Sequence, residues 1–290
     1  MAFASETAWI NTYEPVFRRM IEEAPIGLKN TCDVRYGSEG EDHFFDFVKA
    51  GSISTSSDLT ETHSLTDDTF ERRRIDFDPF YKASIYSKDQ MIKMGKDPVN
   101  ILFVSLRTGY ARKVEKLIIT AATGTAHGGK LGSTAIPFPA ANTVAATGTG
   151  GTISYEDVTI LNRMMYEDNI PESQEKYLVL GPKQHQAMLN EEKAINSDYG
   201  ADAVVVRDGR VRRLAGFNVY VSNQLDLTGT DRTCLAYAQN HIGLWIAEDV
   251  MLQAEQRKDK HYSTQLYTRI QVGATRLHEE GVYALTCTES

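Results

Sequence analysis

Three cysteines in 290 residues, Cys32, Cys234 and Cys287, are too few and too scattered for a disulfide framework or a CxxC motif. Their odd number and wide spacing fit a reduced, cytosol-like compartment. Basic charge is in deficit. The 31 Lys and Arg against 39 Asp and Glu leave a formal charge of −8. That argues against tight, non-specific nucleic-acid binding, because phosphate contacts need a surplus of cations. Long apolar runs are missing as well. The longest such stretch, Cys234 to Ala247, is interrupted by Gln239, Asn240 and His241, too short and too polar to cross a bilayer. The opening residues MAFASETAWINTYEPVF have no basic start and no apolar stretch of signal length, so no secretion signal is read. What is present is ordinary globular composition, 41% hydrophobic and 24% charged, in a chain sized for one large domain or two modest ones.

Chemical motifs are scarce in the same way. Gly124 to Lys130 has the spacing of a phosphate loop, but Leu131 stands where Ser or Thr would hold magnesium. The segment also follows a helix and runs into Pro137, whereas a phosphate loop follows a strand and opens a helix. A flexible connector is the expected role. Gly148-Thr149-Gly150-Gly151 is not a dinucleotide fingerprint. The seven histidines (His43, His63, His127, His185, His241, His261 and His278) form no HExxH, HxH or Cys/His pair at ligand spacing. No serine lies in GxSxG. Lys29 and Arg35 near Cys32 would favour its thiolate, yet a buried or idle cysteine is far commoner. Many carboxylates are present, but no spacing selects a pair for acid–base work. No cofactor or metal is expected, and no enzyme activity.

The secondary structure reads as α+β. A short helix is expected over Thr12–Glu23, ended by Pro25-Ile26-Gly27. Asp97-Pro98 predicts a helix start, and Leu102, Leu106, Tyr110, Val114, Leu117, Ile118 and Ala121 give a stripe with Arg107, Arg112, Lys113, Glu115 and Lys116 off it. About 25 residues at 1.5 Å each make a spine of roughly 38 Å. Residues 122–152, rich in Gly, Thr and Ala, read as a long loop or weak ribbon. Ser154 with Asp157 caps a second helix, lined by Val158, Leu161, Met164 and Met165. Lys176–Leu180 reads as a strand and Gly181-Pro182 as the start of a short helix through Leu189. Asp208-Gly209 marks a tight hairpin, and Phe217–Ser222 a further strand. Leu252–Arg257, Tyr262–Thr275 and Val282–Thr288 are extended, with Leu266, Thr268, Ile270 and Val272 on one face and His278-Glu279-Glu280 in the last turn.

One segment stands out by charge order. Glu39 to Glu71 carries nine acids against Lys49 alone, while Arg72 to Lys96 carries seven bases against three acids. Together with the alternation Ile75-Asp76-Phe77-Asp78 this predicts a long hairpin with one acidic and one basic arm. A solvated charged loop is the equal alternative, since surface ion pairs are weak. Asp67, Asp68, Glu71, Arg72, Arg73 and Arg74 are the candidate contact residues, pairing within the subunit or between subunits. Arg72-Arg73-Arg74 is too short and lacks the interleaved aromatics of a nucleic-acid patch.

The order of elements, with the segments Arg213–Ser222 (RLAGFNVYVS), Cys234–Ala247 (CLAYAQNHIGLWIA), Tyr267–Arg276 (YTRIQVGATR) and Glu280–Leu285 (EGVYAL), resembles the major capsid protein of tailed bacteriophages, the Hong Kong 97-type fold. The resemblance covers nearly the whole chain, and its motifs are structural and loose. It implies an N-terminal arm at 1–38 and an extended loop at 39–96. It implies a peripheral domain with the spine helix at 97–151 and 249–290, and an axial domain at 152–248. It implies a virion protein, assembled in the host cytoplasm into pentamers and hexamers of an icosahedral head around double-stranded DNA. Copies of itself would be its main partners, with a separate scaffolding protein, a portal and room for a cement protein, and no membrane.

Physics gives that implication a rationale. A long two-stranded hairpin is marginal alone and needs a partner surface. Head-to-tail contacts close into rings, and a mildly acidic wall lets DNA slide in. Replacing Arg72, Arg73 and Arg74 by Glu is expected to leave the monomer folded and block assembly. Three other readings remain: an encapsulin-like compartment, an enzyme holding a phosphorylated ligand at Gly124–Lys130, and a tail or connector protein.

Overall fold

The computed structural model describes residues 27–37, 43–48, 70–87, 99–191, 206–207 and 210–289. The expected helix over 12–23 lies outside them, as do Asp97, Pro98, Asp208 and Gly209. Around these gaps the chain is α+β, with three α-helices and four sheets among the described residues.

Helix α1, Val99–Thr123, has the expected 25 residues. It lies on a four-stranded sheet ordered β1 (Asp33–Tyr36), β15 (Ile242–Arg257), β16 (Ser263–Arg276) and β4 (Asp78–Tyr86). Tyr110, Val114, Ile118, Ile119 and Ala122 are buried. The Tyr110 hydroxyl sits 2.9 Å from the Thr268 carbonyl and 2.8 Å from the Thr268 hydroxyl, bolting helix to sheet. The buried stripe is turned relative to the expected one: Glu115, expected off it, is buried and accepts the Gly27 N–H at 2.7 Å. Along β16 the expected alternation holds, with Leu266, Thr268, Ile270 and Val272 buried.

The seven-stranded sheet runs β11 (Arg213–Leu214), β12 (Phe217–Val221), β8 (Lys176–Leu180), β14 (Asp231–Ala238), β17 (Val282–Thr288) and β7 (Thr143–Ala145), with β13 (Leu227–Thr228) beside β14. All five residues of β8 are buried, as expected of a strand covered on both faces. Helices α2 (Tyr155–Glu167) and α3 (Pro182–Asn190) accompany this sheet. At the start of α2, the Asp157 carboxylate accepts the Ser154 and Thr147 N–H groups at 2.8 and 3.0 Å, and the Ser154 hydroxyl oxygen accepts the Asp157 N–H in return. This is the reciprocal cap read from the sequence. The small antiparallel ribbon β9 (Val206–Arg207) and β10 (Arg210–Val211) flanks 208–209, where a tight hairpin was expected.

A third sheet, β2 (His43–Val48), β3 (Phe70–Ile75), β5 (Ala126–Gly128) and β6 (Thr134–Ile136), roots the hairpin. Residues 122–152 are thus not a loose ribbon. They supply β5 and β6 here and β7 to the seven-stranded sheet. Likewise β15 is one 16-residue strand from Ile242, so the Cys234–Ala247 stretch is two strands meeting at a turn. The main core joins α1, α2 and both larger sheets; Phe45, Ile75 and Leu277 form a second, smaller core beneath the hairpin.

Candidate inter-subunit surface

Strand alternation sorts the charged hairpin. Residues 43, 45 and 47 of β2 face 75, 73 and 71 of β3 on one side; 44, 46 and 48 face 74, 72 and 70 on the other. The first side is inward. His43 stacks on Trp245 at 4.3 Å, Phe45 meets that ring edge-on at 5.6 Å, and Phe47 packs against His278 at 4.6 Å. Arg73 is only 5% exposed, and its Nη2 donates to Glu279 at 2.9 Å and to Glu71 at 3.5 Å.

The second side is outward. Arg72 makes a fork to Asp46 at 2.5 and 3.1 Å and lies over the Phe44 ring at 4.8 Å. Arg74 pairs with Asp76 at 2.7 Å. Beyond these pairs, Val48 and Phe70 stand opposite each other, 62% and 75% exposed. They border a groove of about 670 Å³ shared with Gly129 and Lys130.

The candidate residues therefore divide. Asp67 and Asp68 lie outside the described residues. Glu71, Arg72, Arg73 and Arg74 share β3, and their ion pairs run within the chain, to Asp46, Asp76 and Glu279. The sequence reading missed those three partners and the apolar pair Val48/Phe70. The run His43 to Val48, alternating about Asp46, carried the signal for the outward face; Glu279 is distant in sequence and carried none. The triple reversal is also corrected: Arg73 is buried against two carboxylates, so a glutamate there would disturb the subunit itself.

Two further expectations are corrected or sharpened by geometry. The Gly124–Lys130 segment is the strand β5 and the turn into β6, and the Lys130 carbonyl accepts from Arg72 at 3.4 Å. No helix starts there, so the phosphate-loop frame is missing. Cys32 is buried, as the commoner reading has it, and burial pushes its thiol up to about 12 despite Lys29 and Arg35 nearby in sequence. Among the described residues no group of three or more His, Cys, Asp or Glu is placed to hold a metal, and no helix is long and apolar enough to cross a membrane.

The sequence profile of the phage capsid protein family matches residues 6–289, and the chain belongs to that family. Among curated proteins none matches its sequence significantly. Solved structures match nearly end to end at low identity. The capsid of cyanophage P-SCSP1u superposes with a TM-score of 0.71 at 16% identity, covering 100% of this chain and 96% of that one. The Mycobacterium phage Che8 structure gives 0.70 at 15% identity, covering 95% and 97%. The capsid of the native GTA particle gives 0.70 at 13% identity, covering 99% of each chain. The fold is the Hong Kong 97-type capsid fold, and the chain is a structural protein of the phage shell.

Proposed function

We propose that this chain is the major capsid protein that closes, as pentamers and hexamers of itself, into an icosahedral head around double-stranded DNA. Family membership over residues 6–289 makes it a capsid protein. The observation that carries the finer reading is the outward face of the β2–β3 hairpin. Val48 and Phe70 are an apolar pair on the outward side of β2 and β3, 62% and 75% exposed, next to the residues that lie outside the description. An exposed apolar pair of this kind marks a surface that another molecule covers. A neighbouring copy supplies that surface head-to-tail, and repetition of the same contact closes a ring.

We assign 1–38 to an arm, 39–96 to the extended loop, 97–151 with 249–290 to a peripheral unit and 152–248 to an axial unit. The seven-stranded sheet draws on both units, since β17 pairs with β14 on one side and with β7 on the other. Asp67, Asp68, Arg72 and Arg74 are proposed to steer the loop onto the next copy, setting register more than affinity. Arg73, with Glu71 beside it, holds the loop's root instead. The net charge of −8 keeps the wall from gripping its DNA. A scaffolding protein, a portal and a cement protein are the further partners of this reading, and the host cytoplasm its place of assembly. The test is Phe70→Asp combined with Val48→Asp. The variant is expected to stay folded by circular dichroism and to yield no closed particles by electron microscopy. Normal particles from it would overturn the proposed role of the hairpin.

A further inference from the structure

The far half of the β15–β16 hairpin is bare. β1 pairs with β15 only from Gly243 to Ile246, and two register shifts follow between Ile246 and Met251. Beyond them every residue from Gln253 to Tyr262 is exposed, so the subunit covers neither face of this strand end. At the tip, His261 and Tyr262 stand in succession at φ 50° and 54°, in the left-handed region that residues with a Cβ seldom take. Strain of that kind persists where surroundings over-determine it, and the subunit packs nothing on this tip.

The charge of the tip is uneven as well. Lys258, Asp259, Lys260 and His261 lie in a row, and Asp259 is already engaged by Arg257, whose guanidinium forks onto it at 2.9 and 2.5 Å. Among the described residues neither Lys258 nor Lys260 has a carboxylate within 4 Å. Two bare cations thus flank an aromatic ring that is 61% exposed, on a chain whose net charge is −8. Two lysines are too few for a nucleic-acid patch, and an exposed ring among polar groups suits a protein partner.

We propose that this tip receives the β2–β3 loop of a second copy: the acidic segment 49–69 of one subunit docks on Lys258, Lys260 and Tyr262 of the next. The inference rests on the head-to-tail reading above and names the surface which that reading leaves open. Charge selects the occupant. The hairpin carboxylates Asp46 and Asp76 are held by Arg72 and Arg74, and Glu71 lies beside Arg73. The acids left to the hairpin are those of the loop, Asp58, Glu61, Asp67 and Asp68, and from Gly51 to Thr69 there is no Lys or Arg. The segment starts and ends at the exposed pair Val48 and Phe70. Doubled back on itself, a chain of that length spans at most about 35 Å, long enough to clear its own root. Attraction between such exposed groups fixes which copy is met and in what register, and it weakens with salt.

Charge swapping in the full chain tests the contact. Lys258→Glu with Lys260→Glu changes only exposed side chains. It should leave the circular dichroism in place and lower the yield of closed particles, counted by electron microscopy, about tenfold or more. Asp67→Lys with Asp68→Lys should do the same. All four together restore the attraction with its sign inverted and should return the yield to within about twofold of the wild type. Normal particles from the lysine reversal, or a combined variant no better than its parents, would overturn the contact and leave the capsid reading standing. A wild-type chain that forms no particles would overturn both. A zero-length carbodiimide, applied to wild-type particles of mixed heavy- and light-isotope subunits, reads the contact without any variant. Amide links from Lys258 or Lys260 to Asp67 or Asp68 should join heavy to light peptides. Their absence, or their confinement to one copy, would overturn docking between copies.

Discussion

Arg276 is the largest fully buried side chain among the described residues, and its role is local. One terminal nitrogen donates to the Ala122 and Gly124 carbonyls at 3.2 and 2.6 Å, the other to the Ile136 and Pro137 carbonyls, both at 3.2 Å. The last carbonyls of α1 have no helical partners, and the helix end carries partial negative charge. A planar, always-charged fork answers both needs. Arg276→Met should leave these carbonyls unpaired and cost on the order of 3 kcal/mol in urea unfolding; Arg276→Lys should recover part of that. Equal midpoints for all three proteins would contradict this. Arg72 and Arg73 make a second contrast. Arg73→Glu would set a third carboxylate beside Glu71 and Glu279 in a buried place and should destabilise by about 3 kcal/mol or more, while Arg72→Glu on the surface should leave the unfolding midpoint in place. All three thiols are buried, so a thiol reagent at pH 8 should label none in the native chain and three after unfolding; fast labelling of Cys32 would contradict its raised value. At this scale the sequence was read too coarsely. Three consecutive arginines look like one basic block, yet in a strand the middle one must face opposite to its neighbours. The period was available; which face is the buried one depended on Glu279, some 200 residues away.

Two glycines let one element lie flush on another. A Cβ on Gly273 of β16 would stand 2.1 Å from the Asp76 carbonyl oxygen, and one on Gly243 of β15 would stand 2.9 Å from the Phe45 ring. They form the seat on which the β3–β4 bend and the hairpin's root rest. Gly273→Ala should therefore push the bend off the sheet, costing about 2 kcal/mol and speeding hydrogen exchange in β3 more than in β8. Unchanged exchange in β3 would show the bend can yield without loss. Elements with local signals were legible: α1 from its apolar spacing, α2 from Ser154 and Asp157, β8 from its continuous apolar run. Elements made by distant partners were not. The strands β5, β6 and β7 are three residues each, in a Gly-, Thr- and Ala-rich stretch, and exist because β3 and β17 offer them open edges. The turn of the α1 stripe had the same cause, since Glu115 is drawn inward by the N–H of Gly27.

For the molecule as a whole, the −8 charge, the α+β order of elements and the antiparallel pairing of an acidic with a basic strand were readable from the sequence. The pairing of the ribbon was readable in sign but not in partners, because Asp46 opposes Arg72 by register and not by nearness in sequence. The subunit proposed here is incomplete alone and finds its missing surface on another copy. Electron microscopy of the expressed, purified chain, after sedimentation, tests it most directly. Closed shells or rings built of five and six copies are the predicted result. A monodisperse monomer at every concentration, with β2 and β3 as protected from exchange as β8, would contradict it.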